Sequence, residues 1–386
     1  MKIAITADRL FTPLVCIESP VVVIEDGRIL AVDSRNHLEV PADARRVDFP
    51  DCVLSPGFID IHVHGGSGHD VMETDAGAMA AIERGMARHG VTSYLPTTVT
   101  APEDRILRAL EHLGKRISSQ ADQDTGSRPI GIHLEGPFIS HAKRGVHPPE
   151  HLAEPSQKKF EQYWQASGGT LRLMTIAPEL SGALETIHHA RKLGVHSSLG
   201  HSNATYSEAN QGVAAGADHA THTFNAMRAL DHREPGILGA VLSDDRLSAD
   251  IIADGIHTDP SMVKLFLSAK GPERAILITD AISATDMPEG RYKLGPFEVD
   301  VKAGRCEYQG KLAGSVLTLD RAVRNVMNFA QWNLQQAVRL ATVNPARLLG
   351  VADRKGTIAA GFDADLVVLT AAGEVVQAFV AGRNCV

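Results

Sequence analysis

The chain has 386 residues, of which 44% are hydrophobic, and its formal net charge at pH 7 is −8. A chain of this length can bury a large core, and it allows either two domains or one large domain with an appendage. The acidic balance argues against a general nucleic-acid binder or a protein that binds anionic membranes, although it leaves room for a local basic site that holds a small anion.

The cysteines and the N-terminus indicate a cellular compartment. The 4 cysteines are far apart and form no C-x-x-C pair, which predicts free thiols in a reducing environment. The N-terminus lacks the long apolar core of a signal peptide, and the chain contains no run of about 18 apolar residues. We therefore expect a soluble cytoplasmic protein with no membrane partner and no nucleic-acid partner.

Both ends of the chain have the sequence character of short β-strands. Residues 2–32 predict three strands, with an Asp-Gly hairpin turn at residues 26–27. Residues 364–381 predict two further strands around a second turn. We therefore predict a small β-sandwich domain that is assembled from residues 1–52 together with residues 351–386.

Between these ends, residues 53–350 alternate predicted strands with predicted helices. Eight strand–helix units in this length favour an α/β fold of the (β/α)8 TIM-like barrel type over an open doubly wound sheet. No G-x-G-x-x-G follows a predicted strand, which removes the main support for a dinucleotide-binding fold. Alternating residues at about 288–312 predict an inserted hairpin. The predicted strands are 53–64, 93–99, 130–135, 171–177, 195–201, 217–223, 248–253 and 275–280. The predicted helices include 76–89, 102–116, 182–193, 261–269, 319–330 and 334–342.

Polar residues occur at the carboxyl ends of these strands, where active sites of this fold lie. His62 and His64 point to the same face of the first strand, at a spacing that suits a metal. Each candidate alone has a structural explanation, such as a helix cap or a strand's polar face. Their joint position favours a zinc or iron site, since histidine nitrogens and carboxylate oxygens are the expected ligands. The other strand ends carry Glu135, His201, His222 and Asp280.

Several longer sequence blocks are more specific than this pattern. His-Leu-Glu-Gly-Pro stands at residues 133–137, and His-Thr-Phe-Asn-Ala-Met stands at residues 222–227. With these blocks the chain resembles the amidohydrolase superfamily, and within it the deacetylases of 6-phosphorylated N-acetylhexosamines. The resemblance spans nearly the whole chain. Further matching blocks are 56–60, 199–202, 233–236, 254–257, 279–281, 312–315 and 361–365.

The resemblance implies a reaction and a set of roles. The reaction would be metal-dependent hydrolysis of the acetamide of N-acetyl-D-glucosamine 6-phosphate to D-glucosamine 6-phosphate and acetate, in amino-sugar catabolism or cell-wall sugar recycling. Glu135, His201 and His222 would hold the principal divalent metal, which is zinc or iron. Asp280 would move a proton from water to the departing amine, and the metal with His147 would stabilise the oxyanion.

The number of metal ions stays open in the sequence. The chain retains both first-strand histidines, so His62, His64 and Asp280 could bind a second ion, with Glu135 bridging the two. The fourth predicted strand does not end in lysine, and the carboxylated-lysine bridge of other superfamily branches is therefore not expected.

The resemblance also implies a phosphate site and a homodimer whose active site is completed across the interface. Arg233 suits a phosphate because a guanidinium can donate two parallel hydrogen bonds. Asp231 and Glu234 beside it equally allow an ordinary surface ion pair. The other implied substrate-binding residues are Val146, His147, Asn225, Ala226, His257, Leu312, Ala313 and Gly314.

Two alternative functions remain at this stage. One is a different metal-dependent amidohydrolase, such as a deacetylase of N-acetylgalactosamine 6-phosphate or a deacylase of a non-phosphorylated amide. The other is a non-catalytic barrel that serves as a binding or scaffold protein. Such a protein would be expected to lose metal ligands or the proton-shuttling aspartate, whereas this chain retains them.

Overall fold

The computed structural model describes residues 2–12, 15–119 and 126–385. Residues 1, 13, 14 and 386 of the predicted small domain lie outside the described residues. The first part of the chain forms five strands: β1 (Ile3–Phe11), β2 (Cys16–Glu18), β3 (Pro20–Glu25), β4 (Arg28–Ser34) and β5 (Arg45–Pro56).

The middle of the chain alternates strands and helices, as the sequence predicts. Two short 3-10 helices, His141–Lys143 and Pro149–His151, lie between the strand Ile132–Glu135 and the helix Gln157–Ala166. The elements in chain order are β6 (Phe58–Val63), β7 (Gly65–Gly66), β8 (His69–Asp70), α1 (Ala76–Arg88), β9 (Val91–Thr98), α2 (Glu103–Ser118), β10 (Arg128–Pro129), β11 (Ile132–Glu135), α3 (Gln157–Ala166), β12 (Leu171–Ile176), α4 (Ala183–Lys192), β13 (His196–Leu199), α5 (Tyr206–Ala215), β14 (His219–Ala220), α6 (Gly236–Ser243), β15 (Ala249–Ile252), α7 (Pro260–Arg274) and β16 (Ala275–Ile278).

The last third of the chain contains an inserted sheet, three helices and three strands. The inserted sheet is an antiparallel meander of four consecutive strands, where the sequence predicts a single hairpin. Its three turns contain Gly295, Gly304 and Gly310, each with a positive φ that glycine adopts without steric cost. The elements are β17 (Gly290–Leu294), β18 (Phe297–Lys302), β19 (Arg305–Tyr308), β20 (Lys311–Leu312), α8 (Leu319–Ala330), α9 (Leu334–Arg339), α10 (Val343–Leu348), β21 (Leu366–Leu369), β22 (Val375–Val380) and β23 (Arg383–Asn384).

Strands from both chain ends form one continuous sheet, in the order β23-β22-β21-β5-β1-β3-β4, with β2 paired to β1. The sequence predicts a small β-sandwich from these residues, and hydrogen bonds join all of its strands into a single sheet. The long strand β5 pairs parallel with β1 on one side and antiparallel with β21 on the other, and so it joins the two halves by hydrogen bonds. The sheet encloses its own core, in which Ile5 and Val22 cluster with Leu366 and Phe379.

The predicted first barrel strand, residues 53–64, is divided in two. Residues as far as Pro56 belong to β5 in the terminal sheet, and β6 begins at Phe58. The break lies at Gly57, whose N–H donates to Asp365 O at 2.9 Å. A Cβ at this position would lie 2.2 Å from Thr92 Oγ1, so only glycine fits where the chain passes between the two sheets.

Eight parallel strands form the centre of residues 53–350. Six of them pair in the order β6-β9-β11-β12-β13-β14, and β15 with β16 forms a second parallel pair. Backbone bonds link the second pair to both ends of the first set. At one end, Ala220 N–H donates to Ser248 O at 3.0 Å and Thr223 N–H donates to Asp250 O at 2.9 Å. At the other end, Asp280 N–H donates to His62 O at 3.0 Å and His64 N–H donates to Ala281 O at 2.8 Å. The parallel sheet is therefore curled, as in a TIM-like barrel, with the carboxyl ends of its strands at one edge.

All four cysteines are free thiols. Within the described ranges, every helix is too short or too polar to span a membrane.

Candidate active site

A cavity of about 250 Å³ opens at the carboxyl ends of the parallel strands. It brings together most of the side chains that the sequence singles out. His62 lies behind this surface and is completely buried, and Arg233 is exposed and does not line the cavity. The predicted residues that line it are His64, Glu135, Val146, His147, His201, His222, Asn225, Ala226, His257, Asp280, Leu312, Ala313 and Gly314.

Glu135, the last residue of β11, lies at the centre of the candidate metal ligands. Its Oε1 lies 3.2 Å from His201 Nε2 and 3.0 Å from His222 Nε2. The two imidazole Nε2 atoms are 3.1 Å apart. Ligand atoms that surround a tetrahedral zinc ion at about 2.0–2.1 Å lie about 3.3 Å from one another. The spacing therefore fits three ligands of one divalent cation.

A second group of candidate ligands adjoins the first. His62 Nε2 and His64 Nε2 are 3.1 Å apart, and each lies within 3.5 Å of Asp280 Oδ1. The other oxygen of Glu135, Oε2, is 3.2 Å from His64 Nε2, so this carboxylate contacts both groups. The arrangement offers nitrogen and oxygen donors for two neighbouring cations.

The electrostatics of the cluster favour bound positive charge. Burial raises the pKa of a carboxyl group, yet the surrounding imidazoles hold the pKa of Glu135 well below its ordinary value. Burial lowers the pKa of an imidazole, yet Asp280 and Glu135 raise the pKa of His64 well above its ordinary value. The same balance, dominated by Glu135, raises the pKa of His222 to about 9. A divalent cation would supply the charge that this site stabilises.

Backbone carbonyl groups orient two of the imidazoles. His64 Nδ1 donates to Thr97 O at 2.9 Å, and His201 Nδ1 donates to Lys143 O at 2.9 Å. Each bond fixes the tautomer that leaves Nε2 free to ligate a metal. Sequence reasoning missed Thr97 and Lys143 in this role, because a carbonyl acceptor has no side-chain signature.

His147 is oriented differently from His64 and His201. Its Nδ1 accepts the Thr100 N–H at 3.4 Å and lies 2.8 Å from Thr100 Oγ1. A ring nitrogen that accepts a backbone N–H carries no proton, so the ring proton is on Nε2. Nε2 lies 3.6 Å from Glu135 Oε2 and presents an N–H donor toward the cavity. Sequence reasoning did not single out Thr100.

Asp250 is a further residue that the sequence did not single out. Its carboxylate accepts the backbone N–H of His222 and lies 2.8 Å from His219 Nε2. All of these groups are buried. Asp250 therefore fixes the chain at the point where it presents His222.

A further group of cavity residues offers hydrogen-bond donors. His257 Nδ1 lies 2.7 Å from Asp254 Oδ2, which leaves Nε2 free, and Asn225 and Ala226 line the cavity beside it. Arg233 does not join them. Within the described residues its side chain makes no ion pair, so the alternative of an ordinary surface ion pair also finds no support.

Comparison with known proteins identifies the family. The model of the amidohydrolase family matches residues 53–385. The chain belongs to the amidohydrolase family. The match begins within β5, covers every candidate metal ligand of this amidohydrolase and extends through β23. It confirms the resemblance found in the sequence.

Individual relatives of this amidohydrolase cover nearly the whole chain. N-acetylglucosamine-6-phosphate deacetylase of Bacillus subtilis is 35% identical over 363 residues, which are 93% of this chain and 91% of that protein. N-acetylgalactosamine-6-phosphate deacetylase of Escherichia coli O157:H7 is 37% identical over 384 residues, which are 99% of each chain. Among solved structures, a mutant N-acetyl-D-glucosamine-6-phosphate deacetylase of Mycobacterium smegmatis, in complex with N-acetyl-D-glucosamine-6-phosphate, has a TM-score of 0.92 at 35% identity and covers 100% and 99% of the two chains.

Proposed function

We propose that this amidohydrolase hydrolyses the acetamide of N-acetyl-D-glucosamine 6-phosphate to D-glucosamine 6-phosphate and acetate. The observation that carries the proposal is the buried cluster in which Glu135 contacts His201 and His222 on one side and His64 on the other. The cluster lies in a chain whose relatives include enzymes named for this deacetylation, from Bacillus subtilis and Mycobacterium smegmatis.

The metal would be zinc or iron, since both accept nitrogen and oxygen donors. Glu135, His201 and His222 would hold the principal ion, and His62, His64 and Asp280 offer ligands for a second ion. When bound in such a site, a divalent cation lowers the pKa of water and so makes a hydroxide nucleophile available at neutral pH.

Asp280 would transfer the proton, and His147 would polarise the acetyl carbonyl group. Neighbouring imidazoles outweigh the effect of burial and keep the pKa of Asp280 below its ordinary value, so its carboxylate is ready to accept a proton from the attacking water. As the C–N bond breaks, Asp280 returns that proton to the nitrogen, which then leaves as an amine. The Nε2–H of His147 donates to the acetyl oxygen as negative charge develops on it.

The phosphate would lie among Asn225, Ala226 and His257, with Leu312 to Gly314 against the sugar and Val146 beside His147. We propose that Arg233 of the partner subunit in a homodimer completes the phosphate site. Two observations support a contribution in trans: Arg233 is exposed outside the cavity of its own chain, and Leu230, three residues before it, is 49% exposed. Arginine is enriched at protein–protein interfaces, and the Arg233 side chain makes no ion pair within the described residues.

A second candidate substrate is N-acetylgalactosamine 6-phosphate. The relative from Escherichia coli O157:H7 that is named for this epimer matches 99% of this chain at 37% identity. The two epimers share the acetamide and the phosphate, so the metal cluster and the phosphate groups serve both equally. The choice between them would depend on the groups that contact the sugar hydroxyls.

A further part of the proposal concerns the domains of the chain. We propose that the eight parallel strands complete a (β/α)8 barrel over residues 53–350, and that residues 1–52 with 351–386 form a separate β-sheet domain, with β5 crossing the boundary. The four free thiols are consistent with a cytoplasmic location.

The deciding experiment measures acetate release from both phosphorylated epimers by the purified protein, with metal per chain determined on the same sample. We expect release that stops on chelation and returns with zinc or iron. Glu135→Gln should lose metal and activity, while Glu150→Gln, the same change at an exposed carboxylate, should retain both. Bound metal without acetate release from either epimer would refute the proposed reaction.

A further inference from the structure

One side of the cavity is an apolar wall that the proposed mechanism does not use. Val99 directly follows β9, and Leu294 is the last residue of β17. Both line the cavity beside His64, although they are only 2% and 3% exposed. We infer that Val99 and Leu294 form a closed pocket for the acyl methyl group and restrict the substrate to N-acetyl amides. This inference rests on the proposed function, because it concerns the acyl half of the same amide.

The wall lies across the cavity from the proposed phosphate groups. Three strands, β11, β12 and β13, separate β9 from β14. Neighbouring strands are about 4.8 Å apart, so β9 and β14 are about 19 Å apart along the curled sheet. Asn225 and Ala226 come shortly after β14, and His257 comes shortly after β15. The phosphate side and the apolar wall are thus on opposite sides of the metal-ligand cluster.

The geometry of an amide then assigns the acyl group to the wall. The carbonyl carbon is trigonal, so its nitrogen and its methyl group point in different directions, about 120° apart. The carbonyl oxygen would lie at the cluster, within reach of His147. A nitrogen that carries the sugar phosphate toward Asn225 and His257 leaves the methyl group to point at Val99 and Leu294. These side chains provide an apolar surface where the substrate has its only apolar group.

Close packing and hydrogen bonds hold the apolar wall in place. A Cβ on Gly295 would lie 2.2 Å from Val99 Cγ1, which shows how closely the turn after Leu294 packs against Val99. Gly295 N–H donates to the buried Asp70 Oδ2 at 2.6 Å, and Gly295 O accepts from Arg105 Nη2 at 3.0 Å. Both backbone polar groups of Gly295 are therefore hydrogen-bonded. A longer acyl chain would meet a rigid surface, and not a flexible loop.

The test compares acyl-chain selectivity in wild-type protein and in Val99→Ala and Leu294→Ala. The substrates are the N-acetyl, N-propionyl and N-butyryl derivatives of glucosamine 6-phosphate, and the measured quantity is the propionyl-to-acetyl ratio of kcat/KM. A methylene in an apolar pocket changes kcat/KM by about 10- to 200-fold, so we expect each variant to raise this ratio at least about tenfold. Ile252→Val is the matched control, because Ile252 lines the cavity at the end of β15 and should leave the ratio unchanged.

Each outcome supports or overturns the inference. Wild-type protein that releases no acid from any of these amides, or from their galactosamine epimers, would overturn the proposed function and this inference together. Acetate release with an unchanged ratio in both folded alanine variants would overturn the acyl pocket alone. If Leu294→Ala does not fold, Val99→Ala decides, since Val99 lies outside the inserted sheet.

Discussion

His89 offers a pH-dependent test of the structure away from the active site. It follows α1, and its Nε2 lies 2.8 Å from Asp286 Oδ1 while its Nδ1 lies 3.2 Å from Asp320 Oδ1. Burial lowers the pKa of His89, but the two carboxylates outweigh burial and raise this pKa from 6.5 to about 9. The two carboxylates also contact Arg88 and Arg324, which stay charged throughout.

The direction of the effect follows from the raised pKa. A group whose pKa is higher in the folded state stabilises the fold fully below its unfolded pKa of 6.5, and this contribution is lost as the pH rises through about 9. At about 1.4 kcal/mol per pKa unit, the shift corresponds to an upper limit of about 3 kcal/mol. The pKa values of Asp286 and Asp320 are lowered, so both carboxylates stay ionised and add no slope in this range.

The assay is urea unfolding of wild-type protein and His89→Gln between about pH 6 and about pH 9.5. Other titrating groups, including the metal-ligand cluster, act equally on both proteins and cancel in the difference. We expect His89→Gln to be less stable than wild type by up to about 3 kcal/mol at the low end and by almost nothing at the high end. His37→Gln, at a side chain that is 73% exposed, should show no such trend. A difference that stays constant across the range would refute the reasoning.

Three further predictions concern the active site. Asp280→Asn should lower kcat by roughly two to four powers of ten while the chain stays folded, and near-normal turnover would remove its proton-transfer role. Arg233→Ala should raise KM for the phosphorylated substrate much more than for its unphosphorylated analogue; equal effects would place Arg233 outside the phosphate site. His62→Ala should lower the metal content per chain if a second ion binds. Metal analysis of both proteins checks this, and an unchanged ratio would limit the site to one ion.

The repetitive part of the fold could be read from the sequence because its strands are short apolar runs between helical stretches. The predicted strand at residues 171–177 matches β12, and the predicted strand at 275–280 contains β16. The same periodicity placed the candidate ligands at strand ends, where the structure brings them within hydrogen-bond distance of one another. Burial on both faces of parallel strands gives this strong local signal.

Sheet partners were less predictable, because pairing depends on distant parts of the chain. The alternation within β5 does not reveal that it pairs with β1 on one side and with β21 on the other. The break at Gly57 was also missed, although Pro56-Gly57 is a dipeptide that marks turns. For the inserted sheet the sequence predicted one hairpin, and the number of paired strands followed from tertiary contacts.

The backbone at the ligands themselves was beyond sequence reasoning for a different reason. His201, His222 and Asp280 have φ values of 46°, 30° and 52°, in a region that residues with a side chain rarely adopt. Surrounding bonds hold these conformations: His201 O accepts Ser140 N–H at 2.9 Å, Asp250 accepts the His222 N–H, and Asp280 N–H donates to His62 O at 3.0 Å. The left-handed turn ends each strand and presents its side chain to the cluster. Strain of this kind persists only where the surrounding structure enforces it, and it is concentrated at functional sites. The ligand geometry is therefore a property of the assembled sheet, and local sequence preference alone would have argued against it.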